Sequence, residues 1–115
     1  MPEATPTEPQ AARPRAGLLC LEGDVLLLSE KLDELGYEVQ RFPTTDALAF
    51  SLVDIGVGGA DEIIASASNA GIRVIAFGPD PDDMAQIRTR ALGASVIVSR
   101  DELFADVAAH LPSIV

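Results

Sequence analysis

The stretch Gly71–Leu103, GIRVIAFGPDPDDMAQIRTRALGASVIVSRDEL, decides the fold. Ile72–Phe77 is an unbroken apolar run stopped by Gly78-Pro79, Asp82–Leu92 carries helical periodicity, and Val96–Val98 is a second β-branched run. This predicts a strand, a helix and a strand in succession. Strands apolar at every position, joined by a helix long enough to cross the sheet, belong to a parallel sheet covered on both faces. Ligand and reaction sites in such sheets lie beyond the carboxyl ends of the strands, which puts Gly78, Pro79, Ser99 and Arg100 where function is expected.

Working outward, the segments before this unit repeat its pattern. Gly17–Leu21 (GLLCL) reads as a first, central strand, and Asp24 is placed to cap a helix over Val25–Leu35 whose Val25, Leu28, Leu32 and Leu35 form one stripe. Gly36 ends that helix, and Tyr37–Phe42 (YEVQRF) alternates as an edge strand does. Phe50–Ile55 (FSLVDI) is the third strand, leaving Pro43–Ala49 only a turn or two of helix, so the second crossover is short. Ala60–Ala70 is the next helix, with Ile63, Ile64 and Ala67 facing inward and its end at Asn69 to Gly71.

The later helices carry clearer signals. Asp82–Leu92 is expected to turn Met84, Ile87, Ala91 and Leu92 to the core, with Pro81 in its first turn and Asp82 and Asp83 at its positive dipole end. Ser99 and Glu102 make a capping box for a last helix with Leu103, Phe104, Val107 and Leu111 buried, stopped by Pro112. Five strands alternating with helices give an α/β, flavodoxin-like three-layer sandwich: a five-stranded parallel sheet of order 2-1-3-4-5.

Composition narrows the function classes. The chain has 115 residues, 48% of them hydrophobic, enough for one domain with a single core. Residues 1–16 (MPEATPTEPQAARPRA) contain no aliphatic residue beyond Met1 except alanine and read as a disordered tail, with the domain over 17–115. A formal net charge of −10 repels nucleic acid and anionic membrane, and favours a protein partner or a cation. One cysteine, Cys20, excludes an internal disulfide and a cysteine-rich zinc site; as a strand residue among leucines it reads as a small hydrophobe. The single His110, expected on an exposed helix side near the chain end, leaves no histidine-based metal site or triad. No apolar run reaches the roughly 18 residues of a membrane span and no signal peptide is visible, so a cytoplasmic protein is expected. Gly56, Gly58 and Gly59 do not make a GxGxxG fingerprint, because position 61 is Asp.

The runs ELGYEV (34–39), LVDIG (52–56), VIAF (74–77) and RALGASVIVSR (90–100), in this order and spacing, resemble the receiver domain of two-component response regulators over nearly all of the chain after the tail. The resemblance implies an aspartate at the end of the third strand that accepts a phosphoryl group, with Mg²⁺ on acidic residues after the first strand. It also implies a hydroxyl residue after the fourth strand and a lysine after the fifth that bind phosphoryl oxygens. Asp54 stands at the acceptor position, and Glu22 and Asp24 stand near the acidic pair but are split by Gly23. Gly78 replaces the hydroxyl residue, Arg100 replaces the lysine, and Asp101 stands where a proline usually follows. The loop GVGGAD after Asp54 lacks the usual proline, and the interval from Asp54 to Gly78 is several residues short. Arginine is not an equivalent point charge, since its planar fork is larger. These departures describe a degenerate, receiver-like domain.

Each candidate also has a structural reading. Asp54 is either a phosphoacceptor or a carboxylate that accepts hydrogen bonds from the 57–59 loop or pairs with Arg100. Glu22, Asp24 and Asp54 are the candidate Mg²⁺ ligands, with Asp24 alternatively a helix cap; Asp80, Asp82 and Asp83 resemble a cation site but read rather as dipole-compensating residues at a helix start. Gly78 and Arg100 are the candidate switch and anion-binding positions. No enzyme is expected. The expected function is a stand-alone adaptor that binds another protein, possible homodimer included, without phosphorylation, through the face of helix Asp82–Leu92, the last strand and the final helix, as the resemblance implies. The alternatives are a phosphoacceptor modified on Asp54 and a module that binds a cation or small ligand at the strand ends.

Overall fold

The computed structural model describes residues 14–42, 48–78 and 82–111. In chain order these form β1 (Arg15–Leu19), α1 (Glu22–Glu34), β2 (Glu38–Arg41), β3 (Phe50–Asp54), α2 (Ala60–Asn69), β4 (Arg73–Gly78), α3 (Asp83–Leu92), β5 (Val96–Ser99), α4 (Arg100–Ala105) and α5 (Val107–His110). All strand pairs are parallel, and the five-stranded sheet has the order β2-β1-β3-β4-β5. The fold expected from the sequence is the fold observed.

Strand alternation divides the core between the two faces of the sheet. Phe50, Leu52, Ile75 and Phe77 point to one face, where Leu28 and Leu32 of α1 and Leu103 and Val107 of the last helices cover them. Tyr37 meets Phe50 edge-on there, with ring centroids 4.8 Å apart. Val53, Val74 and Ala76 point to the other face, against Ala60, Ile64 and Ala67 of α2 and Ala94. Every residue of β3 is buried, as the middle strand of a covered parallel sheet requires, whereas β2 and β5 at the edges are half-buried or more exposed.

Several local expectations are corrected. The first strand runs Arg15–Leu19, two residues earlier than expected, because Arg15 and Ala16, in the stretch expected to be tail, pair with Glu38 and Val39; residues 1–13 lie outside the described ones. Of the short second helix, residues 43–47 also lie outside them, and Leu48 and Ala49 are not helical. Asp24 does not cap α1. The helix starts a turn earlier at Glu22, its N-cap is Leu21 without a side-chain bond, and Asp24 joins Leu28 and Leu32 on the buried face. Leu35 is exposed.

Helix α3 is rotated from its expected orientation. Met84 and Ile87 are 73% and 64% exposed, while Thr89 is buried and Ala85 and Leu92 are half-buried. Ala85, Thr89 and Leu92, spaced i, i+4 and i+7, form the inner face. A small and a polar residue sit on that face, so the larger apolar residues gave the wrong direction. Asp82 caps this helix, accepting from the Ala85 amide at 2.8 Å. The final helix, expected to be continuous, breaks at Asp106, which leaves the helical region (φ −157°, ψ 85°) and accepts from the Ala109 amide to cap α5. The capping box of Ser99 and Glu102 forms as expected, with bonds of 3.1 Å in both directions.

Candidate functional site

The carboxyl ends of β1, β3, β4 and β5 converge on one edge of the sandwich. Parallel register brings Asp54 beside Phe77 and Gly78 beside Ser99, so the residues that end these strands face the first turns of α1 and α4. Asp24, Asp54 and Arg100 meet here, with Cys20 just past the end of β1 and not within it as expected.

Arg100, the first residue of α4, reaches across to α1. Its Nε donates to Oδ2 of Asp24 at 3.2 Å and its Nη2 donates to Oδ1. Asp24 is only 6% exposed, and both of its oxygens are taken by this planar fork. The guanidinium also lies over the Phe104 ring, 4.4 Å from the centroid, and Phe104 in turn packs against Phe77. The hydrogen bond to Asp24, ahead of the surrounding carboxylates Asp24, Asp101 and Asp54, holds the Arg100 guanidinium above its ordinary pKa. The expected Asp54–Arg100 pairing is therefore corrected: the direct partner is Asp24, and Asp54 acts on Arg100 through its charge.

Asp54 ends β3 and is 3% exposed. Its Oδ1 accepts from the Gly56 amide at 2.8 Å, so the carboxylate's loop donor is Gly56, while the Val57 amide donates to the Asp54 main-chain carbonyl at 3.1 Å. Glu22 is turned away: its side chain is 82% exposed and bridges to Nη2 of Arg41 at 2.5 Å. Gly78 lies under an apolar lid, since a Cβ added there would come within 2.9 Å of Cγ1 and 3.2 Å of Cδ1 of Ile55. The isoleucine side chain occupies the space that a hydroxyl-bearing side chain at this strand end would need.

A divalent cation does not fit this arrangement as it stands. Hard cations need several oxygen ligands facing one point. Both Asp24 oxygens face Arg100, Glu22 faces Arg41, and one Asp54 oxygen faces Gly56. Among the described residues no group of three His, Cys, Asp or Glu side chains is arranged to hold a metal ion.

Cys20 reports the local electrostatics. Its thiol is pushed up to about 11, first by burial and then by the charges of Asp24 and Asp54, with Arg41 opposing. It is a protonated, inert thiol at neutral pH. A shallow pocket of about 250 Å³ opens on the other side of Ile55, between the loop after β3 and α2, where Asp61 bridges to Arg88.

Of the residues singled out from the sequence, the structure brings Asp24, Asp54, Gly78 and Arg100 to one edge and turns Glu22 away; three neighbours were not foreseen. Ile55 as the cover of Gly78 and Arg41 as the partner of Glu22 depend on register between strands. Phe104 as the platform for Arg100 was available from their i, i+4 spacing on one helix.

The topology defines the class: the chain has the fold of response-regulator receiver domains. The response regulator of Burkholderia pseudomallei with a phosphorylated aspartic acid, a calcium ion and citrate aligns with a TM-score of 0.73 and 15% identity, covering 88% of this chain and 67% of that one. Chemotaxis protein CheY4 of Vibrio cholerae aligns at 0.70 and 12% identity, covering 87% and 100%. The orphan response regulator HP1043 of H. pylori aligns at 0.63 and 14% identity, covering 86% and 97%. No protein-family model and no curated protein matches the sequence.

Proposed function

We propose that this chain is a signalling adaptor built on the receiver fold, working by contact with another protein and without phosphoryl transfer through Asp54. The observation that carries the reading is the bidentate hold of Arg100 on Asp24. In a receiver that transfers phosphate, the corresponding acidic residue is needed for Mg²⁺ and the cation after the last strand for the phosphoryl oxygens. Here the two neutralise each other. The lid of Ile55 over Gly78 adds to this, because it fills the position of the hydroxyl that would grip a phosphoryl oxygen. With a net charge of −10, the partner is a protein and not a nucleic acid or an anionic membrane, and a second copy of the chain is one candidate. Among the described residues no helix is long and apolar enough to cross a membrane.

A second reading keeps Asp54 as a phosphoacceptor. It is favoured by the position of Asp54 at the strand end, and by the phosphorylated aspartic acid in the Burkholderia pseudomallei structure. Incubation with acetyl phosphate and Mg²⁺, followed by intact-mass measurement, separates the two. The adaptor reading expects no phosphoryl adduct on wild type, and equal recovery of the same partners by wild-type and Asp54→Asn baits. An adduct lost in Asp54→Asn, with altered partner recovery, sinks it.

A further inference from the structure

We infer that Arg100 is the resident cation of the carboxylate pocket: its guanidinium takes the place of a divalent ion, keeps such an ion out, and leaves a divalent-cation site behind when it is removed. The inference deepens the reading of the site given above and rests on it. A guanidinium cannot give up its proton under physiological conditions, so its charge is permanent. It is also held in place from both sides, by two hydrogen bonds to one buried carboxylate and by the Phe104 ring 4.4 Å away. An incoming cation would have to displace a preformed, partly desolvated ion pair and could not use either Asp24 oxygen until it had done so.

The negative charge that would attract an ion is nevertheless present. Asp24, on the buried face of α1, holds Arg100 directly, and Asp54 ends β3 beside the end of β1, where Leu19 pairs with Val53; both carboxylates act on Arg100, whereas Glu22 is turned out toward Arg41. Arg41 on Glu22 and Arg100 on Asp24 are the cations that offset them. Arg100 is the one that matters for ion entry, because Glu22 and Arg41 are largely exposed and screened by solvent, whereas Asp24 is buried. Without Arg100, Asp24 and Asp54 would offer two carboxylates with water completing the shell, which is how Mg²⁺ and similar ions are commonly held.

The test uses Mn²⁺ alone, followed by paramagnetic broadening of amide resonances, on the full chain. Wild type is expected to show no saturable broadening centred on residues 22–24 and 54–56. Arg100→Met is expected to show it at Mn²⁺ concentrations at least roughly tenfold lower than any effect on wild type, a factor equivalent to about 1.4 kcal/mol. Adding Asp24→Asn to Arg100→Met should abolish the gain, which excludes scattered binding to the acidic surface. Arg100→Gln, which retains a donor towards Asp24, serves as the second variant if the methionine disturbs folding by circular dichroism. Saturable broadening in wild type would overturn both this inference and the phosphorylation-independent reading. Folded Arg100 variants that gain no Mn²⁺ binding would overturn this inference alone.

Discussion

Restoring a hydroxyl at position 78 is expected to destabilise the protein, and the amount can be worked from the packing around the end of β4. A Cβ on Gly78 would sit 2.9 Å from Cγ1 of Ile55, against an ordinary carbon–carbon separation of about 3.5–4.0 Å. One of the two must move by about 0.6 Å or more. Gly78 is fixed by its register with Ser99 in the sheet, so the isoleucine must turn. Its β-branched side chain is stiff at χ1, and leaving its rotamer costs about 0.5–1.5 kcal/mol. A buried Ser hydroxyl without a partner adds about 1 kcal/mol or more, while the lost freedom of glycine in the unfolded chain returns about 0.5–1 kcal/mol. The net is a destabilisation of about 0.5–2 kcal/mol for Gly78→Ser. Urea unfolding followed by circular dichroism would show a midpoint lower by on the order of 1 M. In an Ile55→Ala background the steric part disappears, so the double-mutant cycle should give a coupling of about 1 kcal/mol. Gly78→Ser within error of wild type, or equally costly with and without Ile55, would refute the argument that Ile55 closes the hydroxyl position.

The buried thiol and the cap of α4 each carry further testable consequences. Cys20 should resist iodoacetamide at pH 7–8 in the folded protein and react at once when unfolded, since its thiol titrates at about 11. A thiol raised in the folded state stabilises the fold while protonated, so this contribution is full below the ordinary value of 9.0 and is lost as pH rises to about 11; Cys20→Ala should flatten the alkaline fall in melting temperature. Ser99→Ala should cost about 1 kcal/mol in chemical unfolding by removing the cap of α4. It should also weaken the acid dependence of stability: the capping bonds hold Glu102 below its ordinary 4.5, so its contribution is present above that value and lost as pH falls through the lowered one.

The backbone plan was legible because it rests on local signals. Apolar runs bounded by glycine located β3 and β4, and Ser99 with Glu102 located the start of α4. The orientation of α3 was not legible. Its inner face is made of Ala85, Thr89 and Leu92, and the exposure of Met84 and Ile87 is decided by the rotation at which the helix meets α2 and the sheet. Asp24 misled for a related reason. An aspartate just before an apolar stripe has the local signature of a cap, and only a residue 76 positions away, Arg100, draws it inward. The candidate site was thus visible as a set of positions at the strand ends, while its pairing required the register of four strands.

Amide chemical shifts recorded during a titration with Mg²⁺ and beryllium fluoride, a mimic of a phosphoryl group, decide whether the pocket around Asp54 is closed to phosphate. The pocket described here predicts that the resonances of Asp54, Gly78 and Arg100 stay where they are. Saturable shifts centred on Asp54 and Arg100 would contradict it, because they would mean that Arg100 lets go of Asp24 and that the acceptor position is open.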